Sequence, residues 1–151
     1  MNTEANTISY EEILQWLLHR PPFLLLDHAS HFVEGESLIG HKQLAADDPW
    51  FSGHFPGNPV MPGVMLIESM AQTGALLAAK SWNIRPEKET ILFSSVEKAK
   101  FRNRVSPGDC LEIPVSILAR KRNFVRFEGQ ALVSGKVVAS CTFMAMTVEN
   151  P

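Results

Sequence analysis

Val64, Leu66, Ile67, Met70, Ala71, Leu76 and Leu77 put apolar side chains on nearly every side of one helix, which Pro62 can open at its first position and which ends near Ser81 or Trp82. About 20 residues, each rising about 1.5 Å, make a rod of about 30 Å. That length also fits a membrane span. Glu68, Ser69, Gln72 and Thr73 interrupt the middle of the run, however, where a bilayer penalises an unpaired acid by several kcal/mol. The segment is therefore expected to be a buried helix of a soluble domain, and a helix this apolar needs cover from a sheet wrapped around it.

The rest of the chain can supply that sheet. Phe23 to Val33 and Ser37 to Ala45 are strand-length, with Glu34-Gly35 as the turn between them. Five more strands are expected at Thr90 to Val96, Ala99 to Arg102, Cys110 to Ala119, Phe124 to Val133 and Lys136 to Val148. Ser134-Gly135 suits a tight hairpin and Pro107-Gly108-Asp109 another turn. Such short connections force antiparallel pairing, because parallel neighbours need a crossover. Ahead of the strands, Ser9 can cap a short helix with Glu12 three positions later, and Ile13, Trp16 and Leu17 share one of its faces. His19-Arg20-Pro21-Pro22 ends it, since paired prolines supply no interior helix donors. The expected architecture is α+β, a single domain over residues 1–151 with one long helix packed on a curled antiparallel sheet.

A hydrophobic fraction of 45% is enough to fill such a core, and a net charge of −2 gives no global reason to expect nucleic acid. Basic residues nevertheless cluster between Lys98 and Arg126. Cys110 and Cys141 lie 31 residues apart without metal-ligand spacing and read as reduced core thiols. The opening MNTEANTISYEEILQWLL has no basic leader and no small-residue cleavage site, which predicts a cytoplasmic protein.

The chemistry concentrates in Gly53-His54-Phe55-Pro56-Gly57-Asn58-Pro59-Val60-Met61-Pro62-Gly63. Three prolines and three glycines in eleven residues fix the backbone in some places and permit unusual dihedrals in others. A rigidly held His54 would suit a general base near neutral pH, and the same residue could equally bond only its own loop. Glu68 lies six residues into an otherwise buried helix, where an ionised carboxylate is costly unless paired or functional and where burial tends to raise its pKa. A structural carboxylate bonded to loop amides is the competing reading. Gly63 and Val64 fall where a helix leaves N–H groups unpaired, and these donors favour a developing oxyanion; a plain helix-start glycine is the simpler alternative.

GHFPGNPVMPGVMLIESMAQ closely resembles the signature of the β-hydroxyacyl-acyl carrier protein dehydratases of fatty acid synthesis, a hotdog-fold family. HRPPFLLLD, from His19 to Asp27, and SVEKAKFRNRVSPGD, from Ser95 to Asp109, look like the same family, so the resemblance runs from about Ile13 to Val148. It implies dehydration of a (3R)-3-hydroxyacyl thioester on acyl carrier protein to the trans-2-enoyl product, without metal or redox cofactor. His54 would take the C2 proton, the Gly63 amide would bind the thioester carbonyl, and Glu68 would assist departure of the 3-hydroxyl. The resemblance also implies a homodimer, or a trimer of dimers, whose site takes the histidine from one chain and the acid from the other.

Phe55, Val60, Met61, Leu92 and Phe93 are candidates to line the acyl tunnel alongside Val64, although ordinary core would explain each. The sister branch that also isomerises the product resembles this signature but has Asp and Cys where Glu68 and Val64 stand here, which favours dehydration alone. His28 follows Asp27 where many relatives carry Arg, and His31 is near, but no ligand spacing supports a metal. Arg102, Arg104, Arg120, Lys121, Arg122 and Arg126 are either solvated surface or the docking face for the acidic carrier. A hotdog thioesterase would not need His54 in this loop, and a catalytically silent acyl-binding subunit would be expected to lack one of the pair.

Overall fold

The computed structural model describes residues 6–151; residues 1–5, where the segment read as leaderless begins, lie outside the described residues. The short helix forms as α1, Tyr10–Trp16, with Ser9 Oγ accepting from the Glu12 N–H at 3.2 Å. Strands follow at β1 (His28–Val33) and β2 (Ser37–Gln43), then the long helix α2 (Gly63–Trp82). The chain closes with β3 (Glu89–Phe101), β4 (Cys110–Lys121), β5 (Phe124–Val133) and β6 (Lys136–Glu149). All neighbouring strands pair antiparallel, in the order β1-β2-β4-β5-β6-β3. This six-stranded sheet around one long helix is the hotdog arrangement.

The sheet closes on α2 through alternating side chains. Leu111, Ile113 and Val115 on β4 and Val125, Phe127 and Ala131 on β5 are all buried and face the helix side. Phe127 and Phe143 stack at 4.9 Å, and a Cβ on Gly74 would sit 2.9 Å from Phe143 Cζ. Gly74 is thus what lets the helix lie against this aromatic pair. Each fully buried phenylalanine contributes about 2 to 3 kcal/mol of transfer free energy. No helix among the described residues is long and apolar enough to cross a membrane.

Several sequence expectations shift. Phe23 to Asp27 is not strand: the Leu25 N–H donates to Gln72 Oε1 at 2.8 Å, and Gln72 Nε2 donates to the Phe23 carbonyl at 2.7 Å. The backbone groups that a ladder would use are spent on a helix side chain, while Leu24, Leu25 and Leu26 are buried. Thr90 to Val96 and Ala99 to Arg102 form one strand, because a register shift between Glu97 and Lys100, with Lys98 at φ 53°, absorbs the irregularity without breaking the pairing to β6. Pro62 is the N-cap of α2, and Gly63 takes the first helical position. Cys141 is a buried thiol, pushed up to about 11 by burial, whereas Cys110 is exposed because strand alternation turns its neighbour Leu111 inward instead.

Candidate active site

The Gly53-to-Gly63 loop is tied to itself and to the strap after β3. The Val60 N–H donates to the His54 carbonyl at 2.7 Å, and the Met61 N–H donates to Val105 O at 2.8 Å. Gly57 adopts φ 71°, a left-handed turn that a side chain would strain. Within this frame His54 Nδ1 lies 2.7 Å from the Val60 carbonyl. A carbonyl only accepts, so Nδ1 carries the hydrogen and Nε2 keeps its lone pair. The loop-bonding histidine and the general base are therefore compatible: the bond to the loop sets the tautomer a base needs.

An open groove of about 420 Å³ lies beside that imidazole, bordered by His54, Val60, Gly63, Val64, Phe101 and Arg104. Pro62 gives α2 no side-chain cap, so the first N–H groups of the helix are left for another acceptor. Val64, 71% exposed, points into solvent beside them, while Met61 is core at 3%. Phe55 stacks on the His54 ring at 4.0 Å and is half exposed. A Cβ on Gly63 would meet the Phe101 ring at 2.7 Å, a side-chain contact that the ring, 54% exposed in the single chain, relieves by a small shift. Gly63→Ala is therefore expected to change stability by less than about 1 kcal/mol, since alanine also improves helix propensity. It should nonetheless lower turnover by about tenfold by crowding the amide; thermal melts and kinetics on the same preparation separate the two effects.

Glu68 opens elsewhere, into a cavity of about 190 Å³ lined also by His19, Gln72, Leu92 and Phe93. Its side chain is 37% exposed, less buried than the helix pattern suggested. Burial pushes its carboxyl up, but hydrogen bonds from His19 and Gln72 outweigh that and hold it below the ordinary range, which reverses the expected direction. Gln72 Nε2 donates to Glu68 Oε2 at 2.8 Å, and His19 Nε2 lies 3.5 Å from the same oxygen. Neither partner stood out as functional in the sequence. Gln72 ends the GHFPGNPVMPGVMLIESMAQ signature four positions after Glu68, and His19, forty-nine positions back, opens the HRPPFLLLD segment, but neither has a role that its own neighbours in sequence reveal.

In one chain His54 and Glu68 thus border different openings, one on the groove and one on the cavity. Residues 17–142 match the FabA-like domain family. The chain belongs to that family. Similar family proteins include the 3-hydroxyacyl-[acyl-carrier-protein] dehydratase FabZ of Caulobacter vibrioides, 47% identical over 95% of this chain and 90% of that protein. The FabZ of Cronobacter sakazakii is 43% identical over 95% of both. Among solved structures, the dehydratase heterocomplex ApeI:P from Xenorhabdus doucetiae superposes with a TM-score of 0.76 at 18% identity, covering 92% of this chain and 91% of that one. A hypothetical thioesterase with coenzyme A from Streptococcus pneumoniae follows at 0.60 and 12%, covering 78% and 83%. At such identities the structures speak for the fold alone.

The basic residues do not form one patch. Arg104 bonds Asn58 Oδ1 at the His54 groove, and Arg102 borders an outer groove with Lys98 and Lys100. Arg126 pairs with Glu97 at 3.3 Å. Arg120, with Lys121 and Arg122 next to it at the β4–β5 turn, stacks on Trp82 at the far end of α2. His28 stacks on His41 at 4.5 Å, and among the described residues no group of His, Cys, Asp or Glu is placed to hold a metal ion.

Proposed function

We propose that this chain is a 3-hydroxyacyl-[acyl-carrier-protein] dehydratase that removes water from a (3R)-3-hydroxyacyl thioester to give the trans-2-enoyl thioester. The observation that carries the reading is the His54 imidazole, fixed through Nδ1 with Nε2 free beside the uncapped start of α2. Nε2 takes the C2 proton, and the electron pair moves onto the thioester oxygen at the Gly63 N–H. The C2–C3 double bond then forms as the C3–O bond breaks, and Glu68 gives the departing hydroxyl its proton so that water leaves. The proton held by His54 restores Glu68 for the next turnover. Closing an acyl chain and a second subunit over Glu68 deepens its burial, which moves the carboxyl upward from its depressed value toward an acid able to donate.

The functional unit in this reading is a homodimer. β3 is an edge strand of 13 residues that exposes Leu92, Phe93, Val96 and Phe101, the kind of apolar edge that soluble proteins cover by pairing. Pairing two such edges would bring the groove of one chain toward the cavity of the other. In this reading the reaction runs in the cytoplasm, where the thiols of Cys110 and Cys141 stay reduced.

The deciding assay offers a 3-hydroxyacyl thioester and follows conjugated enoyl thioester against free thiol. Enoyl product supports dehydration, and free thiol without it would mean a thioesterase. The acidic carrier is expected to dock on Arg104, at the His54 groove, and on Arg102, at the outer groove. Reversing both to glutamate should raise KM for carrier-bound substrate about tenfold and flatten its salt dependence, and Arg102→Glu alone, which leaves the Arg104–Asn58 bond in place, should show part of that rise with a much smaller effect on a carrier-free thioester. An unchanged KM for the carrier-bound substrate would remove docking from these arginines.

A further inference from the structure

His19 stands between the end of α1 and the paired prolines. Its backbone is clamped by the next residue: Arg20 Nη1 donates to the His19 carbonyl at 2.7 Å and to Leu17 O at 2.9 Å, while Nη2 donates to Leu14 O at 3.0 Å. From this fixed point the imidazole reaches α2, where Nε2 lies 3.5 Å from Glu68 Oε2. Nδ1 is buried and has no hydrogen-bond partner among the described residues. A carboxylate only accepts, so a bare Nε2 would set two lone pairs against each other. The hydrogen therefore belongs on Nε2, pointing at the carboxylate.

Gln72 Nε2 donates to that same Oε2 at 2.8 Å, and Gln72 is itself locked by the Phe23 carbonyl and the Leu25 N–H. Two donors, one from α2 and one from the strap after α1, thus converge on a single carboxylate oxygen. We propose that His19 is a positioning residue for Glu68, gripping Oε2 together with Gln72 so that Oε1 is presented to the 3-hydroxyl of the substrate. This rests on the dehydratase reading and adds to it a residue outside the His54–Glu68 pair. The 3.5 Å separation is long for a hydrogen bond, and catalytic contacts of this kind commonly shorten in the substrate complex.

The pair has few charged neighbours. Glu89, at the start of β3, lines the adjoining pocket with His19, and the Arg20 guanidinium is turned toward α1; among the described residues the cavity itself has no other titratable lining. Because the His19 bond helps hold the Glu68 carboxyl down, removing it must let that carboxyl rise.

The test follows the Glu68 carboxyl directly, by NMR on protein labelled with carbon-13 at glutamate side chains, with the signal assigned by its loss in Glu68→Gln. In His19→Ala the carboxyl should titrate at higher pH and kcat should fall by about tenfold with KM little changed. His19→Gln keeps an N–H donor and should recover most of kcat and the low titration. If His19 only secured the end of α1, both variants would melt earlier while the carboxyl titration stayed in place, and that result would overturn the proposal. The two readings fail separately. A wild-type protein that leaves the hydroxyacyl thioester intact removes the dehydratase, whereas normal turnover with an unmoved titration in His19→Ala removes only the role of His19.

Discussion

His54→Ala is expected to lower kcat/KM for dehydration by about a hundredfold to ten-thousandfold while the fold stays intact. The range is that of a general base whose proton transfer is the difficult step. The stability cost is small because the ring is half-buried and gives up one bond, to the Val60 carbonyl, worth about 1 kcal/mol, together with its stacking on the half-exposed Phe55. Glu68→Ala should lose a comparable factor, since the leaving hydroxyl then departs without its acid. The double variant should be scarcely worse than either single one, because in the proposed cycle the two groups act together and are lost together when either is removed. Circular dichroism and melting controls accompany the kinetics. Dehydration within a few-fold of wild type in either variant would strike that side chain from the mechanism.

The legibility of this chemistry in the sequence followed the range of the interactions. The loop was readable because its constraints are local: prolines, glycines and the start of α2 all lie within the same stretch, and the Nδ1 bond of His54 closes over six positions. The long helix and the three hairpin-linked strands β4, β5 and β6 are readable for the same reason, through periodicity and turn residues. Phe23 to Asp27 reads as strand because its run is apolar, whereas the partner that takes its backbone groups, Gln72, comes from the distant helix. Glu68 was placed correctly on α2, yet the sign of its pKa shift was not. That sign depends on His19, whose approach follows from the path of the chain around α2 and not from any neighbour in sequence. The cluster of basic residues failed as a single surface for a similar reason. Hairpin β4–β5 carries Arg120 to one end of α2 while Arg104 stays at the other, a separation of about 30 Å along a helix of 20 residues.

Mixing two inactive variants should restore activity, and this is the sharpest consequence of His54 and Glu68 bordering different openings of one chain. In a two-fold dimer each of two equivalent sites takes one histidine and one acid. A heterodimer of His54→Ala and Glu68→Ala chains then has one site with both residues intact and one site with neither. Random exchange makes about half of all dimers mixed, so about a quarter of the sites, and about a quarter of wild-type kcat, should return. If both residues served from the same chain, every site in the mixed dimer would still lack one of them, and the mixture would stay as inactive as its parts. Chains must be allowed to exchange, by co-expression or by mild denaturation and refolding together, and separate tags permit isolation of the mixed species. Isolated heterodimer should then approach about half of the wild-type rate, since one of its two sites is complete. A heterodimer no more active than either parent would place the working pair within a single chain and would require the β3 edge to serve some other purpose.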